Sequence, residues 1–87
     1  MTIEELLRTR LAVLGPSRIE LADDSALHTG HVGARDGGHY RLTIVSEQFR
    51  SLSRLARHRA VMATVGDLIP SPVHALSVKA LTPEESH

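Results

Sequence analysis

Three histidines have the spacing most suggestive of chemistry in this chain. His28-Thr29-Gly30-His31 sets two imidazoles in an H-x-x-H pattern within a glycine-rich stretch. His74 stands at the head of the otherwise apolar run Val73-His74-Ala75-Leu76, in phase with Leu76 and Val78. Neutral imidazole is a common ligand for zinc and iron. It is also unfavourable to bury without a partner. His74 is therefore either satisfied by a backbone carbonyl at a sheet edge or held ready as a ligand. Glycines would let the H-x-x-H loop fold back onto a neighbouring strand. His28, His31 and His74 together would match a three-histidine zinc set. The alternative is two solvated loop histidines. The metalloprotease form of the motif needs a Glu after the first His, and Thr29 stands there.

A second feature is cationic. Arg50, Arg54, Arg57 and Arg59 are four of the ten cations, and no acid lies among them. Arg50, Arg54 and Arg57 recur at i, i+4, i+7, which is a stripe if the segment is one helix. Such a stripe grips phosphates or a partner's carboxylates, or it is simply a solvated face. His39 and His58 read as structural, one opening a strand and the other lying near the apolar helix face. Gly30-His31-Val32-Gly33 is a G-x-x-G, but it lies between strands and not between the two helices where a nucleic-acid clamp would need it. Ser46 and Ser77 have no identifiable base, and no phosphate-loop or dinucleotide fingerprint occurs.

Composition narrows the function classes. A chain of 87 residues buries only about 60% of its unfolded surface. It is read as one domain, 1–87, better suited to surface binding than to enclosing a substrate, and no enzyme is expected. Net charge is zero, so no global field draws in DNA or a membrane. Tyr40 and Phe49 are the only aromatics, too few for a base-stacking platform. There is no cysteine, which excludes disulfides and any thiolate site made by this chain alone. Neither a basic leader nor a long apolar run is visible, so a cytoplasmic location is expected.

These candidates need elements to position them. Thr2-x-x-Glu5 is a capping box. Ile3, Leu6, Leu7, Leu11 and Leu14 follow at helical spacing, and Gly15-Pro16 stops the helix. Arg18–Ala22 alternates as a half-buried strand with Ile19 and Leu21 on one side. Asp23–Gly38 is a long loop holding four of the six glycines. His39–Val45 is a second strand with Tyr40, Leu42 and Ile44 inward. A short turn or helix over Ser46–Phe49 precedes a helix from about Ser51 to Leu68, with Leu55, Met62, Val65 and Ile69 as its apolar face. Pro70 and Pro72 end it, Val73–Leu81 is the third strand, and Thr82–His87 reads as a frayed polar tail. The expected fold class is α+β, a two-layer sandwich with helices on one face of a three-stranded sheet.

Several of these residues together resemble the BolA family. They are Asp23-Asp24-Ser25-x-x-His28, Gly38-His39-Tyr40, Ile44-Val45-Ser46-x-x-Phe49, Arg57-His58-Arg59 and His74-Ala75-Leu76-Ser77-Val78, closed by Thr82-Pro83-Glu84. The likeness covers nearly the whole chain. It implies a class II KH-like αββααβ fold. It also implies partnership with a monothiol glutaredoxin of the Cys-Gly-Phe-Ser type. There a [2Fe–2S] cluster is held by the glutaredoxin cysteine, glutathione, the histidine of the H-A-L motif and a cysteine or histidine of the first loop. In this chain those two groups are His74 and His28, with His31 the second candidate; the missing loop cysteine makes it similar to the histidine subgroup. Imidazole in place of thiolate generally raises a cluster's potential. It also makes ligation fail as pH falls below about 6, because imidazolium cannot bind metal. The family is linked as well to DNA-binding transcriptional control of stress response and cell shape, for which Arg50, Arg54, Arg57 and Arg59 would face phosphate. Alone, such a protein is expected to be a monomer or a weak homodimer.

Overall fold

The computed structural model describes residues 1–24 and 38–86. Helix α1 spans Ile3–Leu11 and starts at the expected capping box, in which Thr2 and Glu5 satisfy each other's backbone amides. Its apolar side buries Leu7 and Leu11. A single 3₁₀ turn, Ala12–Leu14, closes on Gly15, whose φ of 60° is the left-handed conformation that a residue without Cβ adopts freely.

Strand β1, Arg18–Asp23, pairs antiparallel with β2, Gly38–Val45. Strand β3, Val73–Leu81, lies parallel on the other side of β2, so the sheet order is β1-β2-β3. A parallel neighbour needs a crossover. Helix α2, Arg54–Val65, provides it, capped by the Ser53 side chain on the Ala56 amide. Tyr40, Leu42 and Ile44 alternate inward from β2 as expected and meet Leu7, Leu11, Phe49, Val61, Val65, Leu68 and Val73 in one core. Each fully buried side chain of this kind contributes about 1.5–3 kcal/mol. Both helices pack on this face, giving the two-layer α+β arrangement. Arg10 joins their ends, with one guanidinium nitrogen on the Thr64 carbonyl and a two-pronged contact to Asp67 at 2.7 and 3.1 Å.

Three sequence expectations need correction. The second long helix starts at Arg54 and not near Ser51, because Ser51 has φ 73° and so cannot continue a right-handed helix. Of the expected face, Val65 is buried and Met62 and Ile69 pack against the core, but Leu55 is 56% exposed and Val61 is buried in addition. The C-terminal tail is not frayed through the described residues. Pro83–Glu85 forms a 3₁₀ turn with its own Thr82/Glu85 capping box. His74 is not buried with Leu76 and Val78. The β2/β3 register slips by one residue between Gly38↔Val73 and His39↔Ala75. That bulge puts Val73 in the core and turns both His74 and Ala75 to solvent.

Candidate functional site

The bulge brings two histidines together at the start of the parallel pair. His39 leads into β2 and His74 follows Val73 on β3; their ring centroids are 4.9 Å apart at a tilt of 44°. His74 is exposed and His39 half-buried. Local chemistry holds this corner in place. A Cβ on Gly38 would sit 2.4 Å from Cε2 of the buried Tyr40 ring, so only glycine allows this approach. The Gly38 amide donates to the Pro72 carbonyl at 3.4 Å. On the other side, the Asp24 amide donates to the His39 carbonyl at 2.7 Å, and its carboxylate accepts from Arg41 Nε at 2.6 Å. Asp24 and Gly38 bracket the segment that carries His28 and His31. Both brackets are therefore anchored beside the His39–His74 pair. His28 and His31 themselves lie outside the described residues, and with them the three-histidine zinc set.

As a ligand set, the corner offers imidazole nitrogens and no thiolate. Among the described residues no group of three or more His, Cys, Asp or Glu side chains is placed to hold a metal. Two imidazoles do not complete a metal's coordination, so a metal held here would need donors from elsewhere. Sequence reasoning set His39 aside as structural. Strand parity explains where it lies: with Tyr40 inward, His39 is on the open face, next to the start of β3 and the His74 ring.

The other candidates lie around the far end of β3. The expected helical arginine stripe does not form, because Arg50 precedes the left-handed Ser51 and lies outside α2. Arg50 instead contacts Glu47 at 2.7 Å and Glu84 at 2.6 Å. Arg57 on α2 donates to the carbonyls of Leu52 and Ala80 and meets Glu85 at 2.6 Å. The hydrogen bond from Arg57, then the amide of Thr82, hold the Glu85 carboxyl down at about 2. Contact with Arg50 likewise lowers Glu84 and Glu47. Arg54 and Arg59 are exposed and have no ion pair among the described residues. Ser46 is fully buried, donating to the Leu14 carbonyl at 2.6 Å and accepting from the Gln48 amide at 3.0 Å, which is a structural cap.

The fold and the corner define a small α+β domain that presents imidazoles at the head of a parallel strand pair. Comparison with known proteins agrees: the BolA family model, described as BolA-like protein, matches residues 11–85. The chain belongs to the BolA family. Human BolA-like protein 1 is 38% identical over 84 residues, 95% of this chain and 60% of that protein. This chain thus spans about three fifths of the mammalian relatives it matches. SufE-like protein 1, chloroplastic/mitochondrial, of Arabidopsis thaliana is 38% identical over 98% of this chain and 24% of its own length. The solved BolA domain of SufE1 from that plant superposes with a TM-score of 0.80 at 36% identity, covering 98% of each chain. The DNA-binding transcriptional regulator BolA of Vibrio cholerae is 30% identical over 95% of this chain and 77% of its own. No helix among the described residues is long and apolar enough to cross a membrane.

Proposed function

We propose that this BolA-family protein is a non-enzymatic partner of a monothiol Cys-Gly-Phe-Ser glutaredoxin, sharing a [2Fe–2S] cluster in iron–sulfur cluster assembly or trafficking in the cytoplasm. The observation that carries the reading is the exposed His74, turned outward by the bulge, with both brackets of the His28/His31 segment anchored beside it. His74 and either His28 or His31 would contribute the imidazoles; glutaredoxin cysteine and glutathione would supply the thiolates this chain lacks. His39, packed on the His74 ring, would limit its rotation and keep the donor aimed. The fusion of a BolA domain within a SufE-like protein, a relative of this chain, supports an iron–sulfur setting.

DNA binding is the second reading, favoured by the Vibrio relative, a DNA-binding transcriptional regulator, and by the exposed Arg54 and Arg59, which have no ion pair among the described residues. It ranks lower because Arg50 and Arg57 are already neutralised by Glu84 and Glu85. The test is titration of the protein into a glutathione-loaded, cluster-bearing monothiol glutaredoxin, followed by visible absorption and circular dichroism. A changed cluster spectrum at one-to-one stoichiometry, lost on His74→Ala, supports the proposal. Loss on His28→Ala or on His31→Ala names the loop ligand. An unchanged spectrum with no complex overturns it in favour of DNA.

A further inference from the structure

A cleft of about 1070 Å³ runs between the first half of α2 and the outer edge of β3. It lies along the second half of β3, away from the histidine corner, and neither proposed activity uses its apolar part. One wall, formed by α2 and the residues just before it, carries Leu52 and Leu55, which are 37% and 56% exposed. Its strand wall carries Val78. Arg54, His58 and Lys79 also line it, each exposed and without an ion pair among the described residues. The carboxylate there, Glu85, is already taken by Arg57. The cleft is thus an apolar floor rimmed by the cations Arg54 and Lys79, neither in an ion pair among the described residues.

The strand wall is also an open sheet edge. β3 is the last strand of the sheet, with β2 on one side only. In a parallel pair, alternate residues direct both backbone groups to the same side. Leu81 faces β2's side, since its carbonyl accepts from the Ser46 amide. Ala80 faces outward, and Arg57 occupies its carbonyl. By the same alternation Val78 and Leu76 present their amides and carbonyls to the open edge. Arg57 therefore marks where a pairing strand must stop.

We infer that this cleft binds an extended peptide segment of another protein, acidic and apolar residues alternating, which adds as a strand to the β3 edge. Alternation is what the geometry selects. In an added strand, successive side chains point to opposite sides, so one set would lie toward the helix layer on Leu52, Leu55 and Val78, with Arg54 at its margin, while the other would lie on the open face of the sheet beside Lys79. Main-chain bonds to the edge would supply affinity and the two walls specificity. A duplex fits less well, because the apolar floor of Leu52, Leu55 and Val78 offers it nothing to contact.

The experiment uses a fluorescent synthetic peptide alternating leucine and glutamate, read by anisotropy against the whole protein. Separate arms use the same peptide with glutamine for glutamate, and a DNA duplex. Micromolar binding of the acidic peptide is expected, weakening severalfold between about 50 and 300 mM salt. Arg54→Glu and, separately, Leu55→Asp should each weaken it by about tenfold or more, with the circular dichroism of the free protein unchanged because both side chains are exposed. Backbone amides of Leu76 and Val78 should gain protection from hydrogen exchange in the complex. His74→Ala should bind the peptide as the parent does, which separates this inference from the cluster reading. Equal affinity for the glutamine peptide, unchanged exchange at Leu76 and Val78, or tighter duplex binding abolished by the same substitutions would each overturn it.

Discussion

The two ends of β3 handle their polar groups in opposite ways. At its start, His74 is turned to solvent beside the His39 ring, and among the described residues no carboxylate pairs with it. At its end, Arg57 is 15% exposed and bonded to two carbonyls and to Glu85, while Arg50 holds Glu47 and Glu84. A run of cations in sequence suggests function, yet half of Arg50, Arg54, Arg57 and Arg59 is engaged in folding the tail. A lone histidine in an apolar run suggests packing, yet the bulge exposes it. The contrast suggests a rule: groups whose charge or lone pairs are satisfied within the chain shape the domain, and those left outward are offered to partners.

The sharpest way to break this contrast is at the donor end. His74→Ala should abolish the shared cluster spectrum with glutaredoxin while leaving thermal unfolding almost unchanged, since the side chain is exposed. If the variant unfolds early but still shares the cluster, the two ends do not differ in kind. His39→Ala tests whether the neighbouring ring aims the donor. By analogy with groups that orient metal ligands, it should weaken cluster sharing by about 10-fold or more without abolishing it. A potential or spectrum identical to the parent would remove His39 from the site.

Gly38→Ala probes the frame beneath both histidines. The added Cβ would meet Tyr40 at 2.4 Å, and this ring is 9% exposed and cannot swing aside freely. Overpacking of this kind costs about 1–3 kcal/mol, read as a lower midpoint in urea. Because the glycine sits at the register slip, weaker cluster sharing should accompany the lost stability. At the other end, Arg57→Met keeps the stem but removes the bonds to Leu52 and Ala80. Losing them should cost about 1–2 kcal/mol and leave cluster sharing as it was.

How much of this was legible in the sequence differs along the chain. Thr2-x-x-Glu5 and Gly15-Pro16 bounded α1, and the alternation of Tyr40, Leu42 and Ile44 gave β2 its inward face, because both signals are local. Thr82-x-x-Glu85 is the same capping pattern as Thr2-x-x-Glu5 and carried the docked tail in plain sight, but proximity to the chain end argued for fraying. The phase of His74 was not legible. It depends on a register slip between strands more than thirty residues apart in sequence, and the only local trace is Gly38. The arginine stripe failed for a smaller reason: one left-handed residue, Ser51, breaks the helix that the spacing assumed.

Acid gives the smallest and most local test of the satisfied end. Glu85 titrates at about 2 in the folded protein against an ordinary 4.5, mainly because Arg57 hydrogen-bonds its ionised form. A carboxylate whose folded value is depressed stabilises above its unfolded value and loses that contribution as pH falls through the folded one. The docking of Pro83–Glu85 is therefore complete above about pH 4.5 and fades toward pH 2. Glu84 and Glu47, lowered by Arg50, weaken in the same direction. Because these carboxylates are exposed, the core should persist while the tail lets go. Amide signals of Thr82 and Ser86 should thus shift over that interval before Leu42 and Ile44 respond. If instead core and tail amides moved together, the clasp would be part of the cooperative core, and the two ends of β3 would differ less than their side chains suggest.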